Sequence, residues 1–240
     1  MIKIDDRLMA ICTMVGRCSV LLDIGSDHAY VPVWLFQNGR IERAVISDVN
    51  EGPVQAARRN IENFGFYDRC EFIVSDGFEN TDVKDVDTAC ICGMGGELIS
   101  DIIENNLDRA KSVSTLILQP MNSVSTVRKC LYRNGFSITG EDLVRDGSRF
   151  YTVIRAVPER EDREFDEIFF EIGYFLFEHG HENYAEYLDY IIAKHETIIR
   201  NCRGRQTENA RKALEDSLGY IELITEVKET YEGKRFNQVH

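Results

Sequence analysis

The chain has 240 residues, of which 43% are hydrophobic and 29% are charged, a composition typical of a globular protein rather than a disordered or fibrous one. Its net charge of −13 argues against a uniformly basic nucleic-acid-binding surface, although a local basic patch is compatible with it. No stretch approaches the roughly 18 consecutive apolar residues that span a bilayer, and the N-terminus lacks the pattern of a signal peptide. We therefore expect a cytoplasmic protein without a membrane partner, built from one α/β domain and a smaller extension.

The seven cysteines form no CxxC pair and have no histidine partner at zinc-finger spacing. Cys90 and Cys92 are two residues apart in an apolar run, so both would pack on one face of a strand. The sequence therefore predicts reduced, mostly buried thiols and no metal site.

Five apolar runs, each followed by a segment long enough for a helix, indicate a parallel sheet. The runs are 19–25, 43–49, 70–76, 87–93 and 114–120, and the helical segments are 28–39, 52–65, 95–110 and 123–135. The runs are hydrophobic throughout rather than alternating, which is typical of strands covered by helices on both faces. Gly39, Gly65 and Gly135 stand where helices commonly end.

Two further runs, 136–146 and 149–157, are separated only by a short connection that contains Gly147, so they predict an antiparallel hairpin. Five parallel strands followed by such a hairpin distinguish the seven-stranded methyltransferase sheet from the dinucleotide-binding sheet, whose sixth strand is parallel. The predicted fold class is therefore α/β, with a Rossmann-like seven-stranded sheet of the type found in S-adenosylmethionine (SAM)-dependent methyltransferases.

The chain after Pro158 becomes charged and then helical. Apolar residues recur at intervals of three and four over 164–201, with a break at 179–183, and again over 213–227. Two long helices folded back on each other would bury both stripes in a coiled-coil-like hairpin. We predict two domains, a Rossmann-like SAM-binding domain and a C-terminal helical hairpin domain; their bounds are 1–158 and 159–240.

A local basic cluster flanks the turn of this otherwise acidic hairpin. Its members are Lys194, Arg200, Arg203, Arg205, Arg211 and Lys212. Such a cluster is either a solvated helix face or a surface that contacts phosphate groups.

Polar residues and glycines, with one methionine, stand where four successive predicted strands end. They are Asp23, Gly25, Ser26, Asp27 and His28 after the first strand, Asp48 after the second, Asp76 and Gly77 after the third, and Gly93, Met94, Gly95 and Gly96 after the fourth. Because the carboxyl ends of parallel strands meet at one edge of a sheet, these residues would share one crevice. The first turn is not GxGxxG, which suits SAM because SAM has no pyrophosphate.

Two of these acids suit the adenosine part of SAM. Asp48 could accept both ribose hydroxyls, and Asp76 could accept the exocyclic amine of adenine. The alternatives are that Asp48 caps the following helix, that His28 is a packing residue at a helix start, and that Glu97 only complements a helix dipole.

Segments throughout the chain closely resemble the bacterial tRNA (adenine(22)-N(1))-methyltransferase family, TrmK. They are DRLMAICTMV, DIGSDHAYVP, DVNEGPVQAARRNI, SDGF, CGMGGELI, LILQP and RFYTVIRA. The resemblance implies that the chain transfers a methyl group from SAM to N1 of an unpaired adenine in the D-loop region of tRNA. The resemblance implies that tRNA is the partner. The oligomeric state stays open, and a monomer is one of the alternatives.

The resemblance also implies roles for individual residues. Asp23 to His28 would surround the methionine part of SAM, Asp48 and Val49 would contact the ribose, Asp76 and Gly77 the adenine, and Gly93 to Gly96 would lie beneath the methyl group. Arg7 would reach the methionine carboxylate or, alternatively, form a surface salt bridge. The NPPY-type tetrapeptide of many base N-methyltransferases is absent, and GMGG stands in its place.

Methylated adenine carries a positive charge, for which a nearby carboxylate is favourable. Asp27 is our candidate for that carboxylate, with Tyr30 and Met94 as packing partners of the base, and the basic cluster would hold the tRNA body. The competing interpretations are a methyltransferase that acts on a protein or a small molecule, and a non-catalytic SAM- or RNA-binding module.

Overall fold

A computed structural model of the protein describes residues 2–160 and 164–238. It divides into two compact units. The first comprises Met1–Asp146 and Tyr151–Arg163, and the second comprises Gly147–Phe150 and Glu164–His240. No helix among the described residues is long and apolar enough to cross a membrane.

The strands form one seven-stranded sheet. They are β1 (Val20–Ile24), β2 (Arg43–Asp48), β3 (Cys70–Val74), β4 (Thr88–Met94), β5 (Thr115–Pro120), β6 (Ser137–Asp146) and β7 (Arg149–Val157). Their order is β3-β2-β1-β4-β5-β7-β6, with β1 to β5 parallel and β7 antiparallel to β5. This arrangement confirms the predicted fold class. The strand order reverses between β1 and β4, which opens a crevice at their carboxyl ends.

Among the described residues of the first unit, six α-helices and a short 3₁₀ helix (Tyr67–Arg69) accompany the sheet. The α-helices are α1 (Asp6–Val15), α2 (Tyr30–Gln37), α3 (Glu51–Asn63), α4 (Gly96–Asn105), α5 (Leu107–Ser112) and α6 (Val124–Arg133). Every residue of β1 and β5 is buried, as their continuous hydrophobicity predicted. The edge strand β3 is only partly buried, because it has a neighbour on one side alone. The single helix expected over 95–110 is two helices, separated at Asn106, whose backbone leaves the helical region.

Helix α1 was not predicted from the sequence. It begins after Asp5, whose carboxylate accepts a hydrogen bond from the backbone N–H of Leu8 at 2.8 Å and so caps the helix. Its inner face is buried in the core through Ile11, Cys12 and Val15. The signal was present, since an acidic cap precedes apolar residues at helical spacing.

The second unit is helical. Its helices are α7 (Glu167–Ile172), α8 (Tyr174–His179), α9 (Tyr184–Cys202) and α10 (Glu208–Gln238). Helices α9 and α10 pack along each other, for example through Tyr184 and Tyr231, whose ring centroids are 4.8 Å apart. The long first helix expected from residue 164 onward is instead three helices. Gly173 and Gly180, both with positive φ, interrupt it, and only the second break was expected.

Candidate functional site

A cavity of about 400 Å³ opens at the carboxyl ends of β1 and β4. It is lined by the start of α1, by the turn from β1 to α2 and by the end of β4. The lining residues are Asp5, Arg7, Leu8, Asp23, Gly25, Ser26, Asp27, His28, Ala29, Tyr30, Val31, Cys92 and Gly93. Small-molecule sites typically measure about 300–1,000 Å³, and in open α/β sheets they lie where the strand order reverses. The cavity therefore has the size and the place of a ligand site.

The turn from β1 to α2 is held tightly against its neighbours. The backbone N–H groups of Gly25 and Ser26 donate to the carbonyl of Ser47 on β2, at 2.8 and 3.1 Å. Gly25 has a φ of +74°, and a Cβ placed there would lie 1.8 Å from Cε of Met94. Glycine is thus needed at this position for both its backbone conformation and its close contact with the end of β4.

A buried carboxyl group and a buried hydroxyl group lie at the base of the cavity. Burial raises the pKa of Asp23 from 3.8 to about 6, and Ser26 lies close enough to oppose this shift. The Ser26 hydroxyl nevertheless makes no well-formed hydrogen bond with any described residue. Buried hydroxyls are normally satisfied, so a polar ligand in the cavity would complete this one.

Three exposed side chains stand together in the lining of the cavity. The carboxylate of Asp27 lies 3.4 Å from Nε2 of His28, and the His28 ring stacks on Tyr30 with centroids 5.3 Å apart. The side chain of Asp27 is 74% exposed and Tyr30 is 42% exposed. His28 is thus not a buried packing residue at the start of α2. The group offers aromatic faces and one negative charge to an incoming ligand.

Arg7 lies in the first turn of α1 and reaches the end of β5. Its Nη1 donates to Oε1 of Gln119 at 2.7 Å, and its guanidinium carbon is 6.0 Å from the ring centroid of Tyr151 on β7. No carboxylate among residues 2–160 and 164–238 comes within 4.0 Å of this guanidinium. Within these residues Arg7 therefore forms no surface salt bridge.

Asp48 is the last residue of β2 and Val49 follows it, at the same edge of the sheet, but neither is part of the cavity lining. The Asp48 carboxylate accepts a hydrogen bond from the backbone N–H of Asn50 at 2.8 Å. Asn50, not Asp48, is the residue that precedes α3. Val49 is 59% exposed, as single apolar side chains on a protein surface commonly are.

Asp76 and Gly77 follow β3 and likewise stand outside the cavity lining. Asp76 is exposed. Gly77 is buried with a φ of +56°, and a Cβ there would meet the Ile102 side chain at 2.8 Å. The structure thus places both Asp48 and Asp76 at the carboxyl ends of β2 and β3 and outside the cavity lining.

The glycine-rich turn after β4 is packed against the residues that follow β5. The carbonyl of Met94 accepts from the N–H of Met121 at 2.8 Å, and the N–H of Gly96 donates to Asn122 at 3.3 Å. A Cβ at Gly96 would lie 2.3 Å from the carbonyl oxygen of Ser123, whereas one at Gly95 would touch only the Asn122 amide at 3.4 Å. Glycine at position 96 therefore lets α4 start directly beside the β5 end.

Glu97 lies in the first turn of α4 and is exposed. A hydrogen bond with Ser123, and one with its own backbone, lower the pKa of its carboxyl group. This environment fits an acid that stabilises the start of a helix.

The six residues of the basic cluster belong to the second unit and are all exposed. Arg200 donates to the Thr197 hydroxyl at 2.9 Å, and Arg211 donates to the carbonyl of Gln206 at 3.3 Å. Within the described parts of the chain, none of the six has a carboxylate within 4.0 Å. Their charge is therefore directed to solvent or to a partner.

Several residues of the cavity were not expected from the sequence. They are Asp5, Leu8, Ala29, Val31 and Cys92. Asp5 and Leu8 line the cavity because the start of α1 lies beside it, a long-range arrangement that no local pattern reveals. Cys92 packs against the buried cluster that contains Cys90, as expected, and because it is only half-buried it also lines the cavity. No group of three or more potential metal ligands is found among the described residues.

The chain is similar to known proteins over nearly its full length. A family model for a methyltransferase domain matches residues 4–154. The tRNA (adenine(22)-N(1))-methyltransferase of Bacillus subtilis is 27% identical over 234 residues, 94% of this chain and 97% of that protein. The crystal structure of the B. subtilis m1A22 tRNA methyltransferase TrmK matches with a TM-score of 0.83 at 25% identity, covering 95% of this chain and 100% of that one.

A protein from Streptococcus pneumoniae, solved in complex with S-adenosyl-L-methionine, matches with a TM-score of 0.81 at 28% identity. The match covers 94% of this chain and 100% of that one. The chain thus shares both the methyltransferase domain and the helical part that follows it with these proteins. It belongs to the methyltransferase domain family and, within it, to the family of the bacterial tRNA (adenine(22)-N(1))-methyltransferases.

Proposed function

We propose that this protein transfers the methyl group of SAM to N1 of an unpaired adenine in the D-loop region of tRNA. The observation that carries the proposal is a ligand-sized cavity at the switch point of the sheet, in a chain that matches a tRNA (adenine(22)-N(1))-methyltransferase along nearly its whole length. A small-molecule or protein methyltransferase would share the cavity but not the likeness over the helical unit.

The residues of the cavity fit SAM. The buried Ser26 hydroxyl makes no well-formed hydrogen bond with any described residue, and Gly25 lines the cavity beside it. Arg7 supplies a positive charge for the methionine carboxylate. Asp48 and Asp76, at the carboxyl ends of β2 and β3, would accept hydrogen bonds from the ribose and the adenine. When bound, SAM supplies a methyl group on a positively charged sulfur.

The protein's own task is chiefly to position the base. N1 of adenine lies on the Watson–Crick edge, so the base must be unpaired before its lone pair can reach the methyl group. The stacked rings of His28 and Tyr30 provide an aromatic surface for such a base at the cavity. Fixing two reactants in line can lower a barrier by as much as about 7–11 kcal/mol.

Asp27 and Met94 complete the proposed catalytic set with Tyr30. The Asp27 carboxylate lies beside the stacked rings and would stabilise the positive charge that the base acquires. Met94 contacts the Gly25 turn and would pack against the base from the other side of the site. This arrangement needs no covalent enzyme intermediate.

We assign tRNA docking to the basic cluster of the helical hairpin domain, residues 159–240, and cofactor binding to the domain of residues 1–158. Six exposed cations, none with a carboxylate within 4.0 Å among the described residues, can contact phosphates, which position an RNA without reading its sequence. A tRNA substrate would also place the protein in the cytoplasm.

The test is to incubate the purified protein with methyl-labelled SAM and, in parallel, bulk tRNA, protein extract or metabolite extract. We expect label in tRNA alone. A tRNA transcript with adenine at position 22 should accept one methyl group, and the same transcript with guanine at that position should accept none. Label in protein or metabolites, with none in tRNA, would contradict the proposal and favour the alternative substrate class.

A further inference from the structure

Gln119 is a fully buried polar side chain in an otherwise apolar strand end. It is 0% exposed, and it stands next to the last residue of β5, which is buried throughout. Burying a primary amide costs free energy unless its hydrogen bonds are made inside the protein. A glutamine at this position therefore needs hydrogen-bond partners inside the protein, which an apolar residue would not need.

Both ends of the Gln119 amide are engaged, and the engagement sets its orientation. Its Nε2 donates to the backbone carbonyl of Pro120 at 2.9 Å and lies 3.7 Å from Sδ of Met121. Its Oε1 accepts from Nη1 of Arg7 at 2.7 Å. The reversed amide would place two donors against each other at Arg7, so only this orientation satisfies both ends.

Arg7 is held at the cavity without losing its charge. The hydrogen bond to Gln119 and the Tyr151 ring restrict its guanidinium from two sides. Among the described residues, Gln119 is its only hydrogen-bond acceptor, so most of its five N–H donors remain for a ligand. A carboxylate in place of the amide would compensate the positive charge, whereas a neutral amide positions the cation and leaves the charge available.

We infer that Gln119 is a positioning residue, which orients Arg7 toward the methionine carboxylate of the cofactor. The inference rests on the proposed function, because it requires SAM in the cavity. It assigns to β5 a part in recognising the amino-acid end of the cofactor, although no β5 residue lines the cavity. Gln119 acts only through Arg7, so its replacement should affect ligands that carry a carboxylate and spare ligands that do not.

Two probes separate these effects. S-adenosylhomocysteine carries the amino-acid carboxylate, whereas 5′-methylthioadenosine has the same adenosine and thioether without it. The near-isosteric variant Gln119→Glu should pair with Arg7 and weaken binding of S-adenosylhomocysteine by about tenfold, which corresponds to ~1.4 kcal/mol. Its affinity for 5′-methylthioadenosine should stay within about twofold of the wild type, since adenosine contacts are unchanged. Isothermal calorimetry measures both.

A second variant and a double-mutant cycle guard against an effect on folding. Gln119→Met keeps the length of the side chain but removes the acceptor, and it should also weaken S-adenosylhomocysteine selectively. In an Arg7→Ala background, Gln119→Glu should change the affinity for S-adenosylhomocysteine by less than about twofold, because the two residues act together. The midpoint of urea denaturation verifies that each variant is folded.

Three results would overturn the inference. An equal loss of affinity for both ligands would mean that Gln119 only supports the fold. The same conclusion would follow if the fold-losses in affinity from the Arg7 and Gln119 substitutions multiplied in the double variant, as they do for independent residues. A wild-type protein that binds neither ligand would overturn it together with the cofactor assignment. Selective loss in a protein that methylates no tRNA would support the inference and contradict the proposed function alone.

Discussion

Replacing Gly25 by alanine tests how the turn after β1 is built. Gly25 has a φ of +74°, and an added Cβ would lie 1.8 Å from Cε of Met94. The methionine end is flexible, so it can move, but it must leave its present position. Gly39 offers a matched control, because it has a φ of +61° and a Cβ there would meet nothing within 4 Å.

The free energies of unfolding of the two variants should differ by the energy needed to move the Met94 side chain. A left-handed backbone costs a residue other than glycine roughly 1–2 kcal/mol, which should be the whole effect of Gly39→Ala. Gly25→Ala should lose a further ~1 kcal/mol, the order of magnitude for a side chain forced off its preferred rotamer. In a Met94→Ala background this additional loss should disappear, since the clashing atom is gone.

Urea denaturation gives the free energies of unfolding, and calorimetry gives the affinity for S-adenosylhomocysteine. Only Gly25→Ala should weaken ligand binding, because Gly25 lines the cavity and the displaced methionine end would occupy the adjoining space. Equal destabilisation by Gly25→Ala and Gly39→Ala, with ligand affinity unchanged in both, would refute this account of the turn.

Three other variants test the buried acid, the ribose contact and the RNA surface. Burial raises the pKa of the Asp23 carboxyl group from 3.8 to about 6, so the folded state binds its proton more strongly than the unfolded state does. Proton binding therefore stabilises the folded state below pH 3.8, and this stabilisation is lost as the pH rises through 6. Between pH 4 and pH 8 the wild type should therefore lose about 2 kcal/mol of unfolding free energy relative to Asp23→Asn, and parallel pH profiles would disprove the shift. Asp48→Ala should weaken SAM binding by about 1–3 kcal/mol, with exposed Asp68→Ala as the control, and unchanged calorimetric affinity would remove Asp48 from the site. Replacing Arg200, Arg203 and Arg205 together with glutamine should lower the affinity for tRNA and leave the affinity for SAM unchanged. The slope of log affinity for tRNA against log salt concentration should fall by up to about three units. An unchanged slope would show that the cluster is only a solvated helix face.

The sequence alone determined the sheet and its order of elements. Strands covered on both faces must be apolar throughout, and a connection as short as the one at Gly147 allows only an antiparallel partner. Those two constraints are local, so the seven-stranded sheet and its hairpin could be predicted. The acids and glycines that follow β1 to β4 were predictable for the same reason, because parallel strands bring their carboxyl ends to one edge.

The tertiary structure decided which residues meet across that edge. The contact of Gly25 with Met94 joins positions far apart in the chain, as does the hydrogen bond between Arg7 and Gln119. Neither has a periodic signal, because each depends on how α1, β4 and β5 pack around β1. In the sequence, Gln119 is a single polar residue in an apolar strand. Only the structure shows that its buried amide accepts a hydrogen bond from Arg7, the contact on which its inferred positioning role rests. Contacts of this kind arise from packing, and packing is not encoded in any single segment.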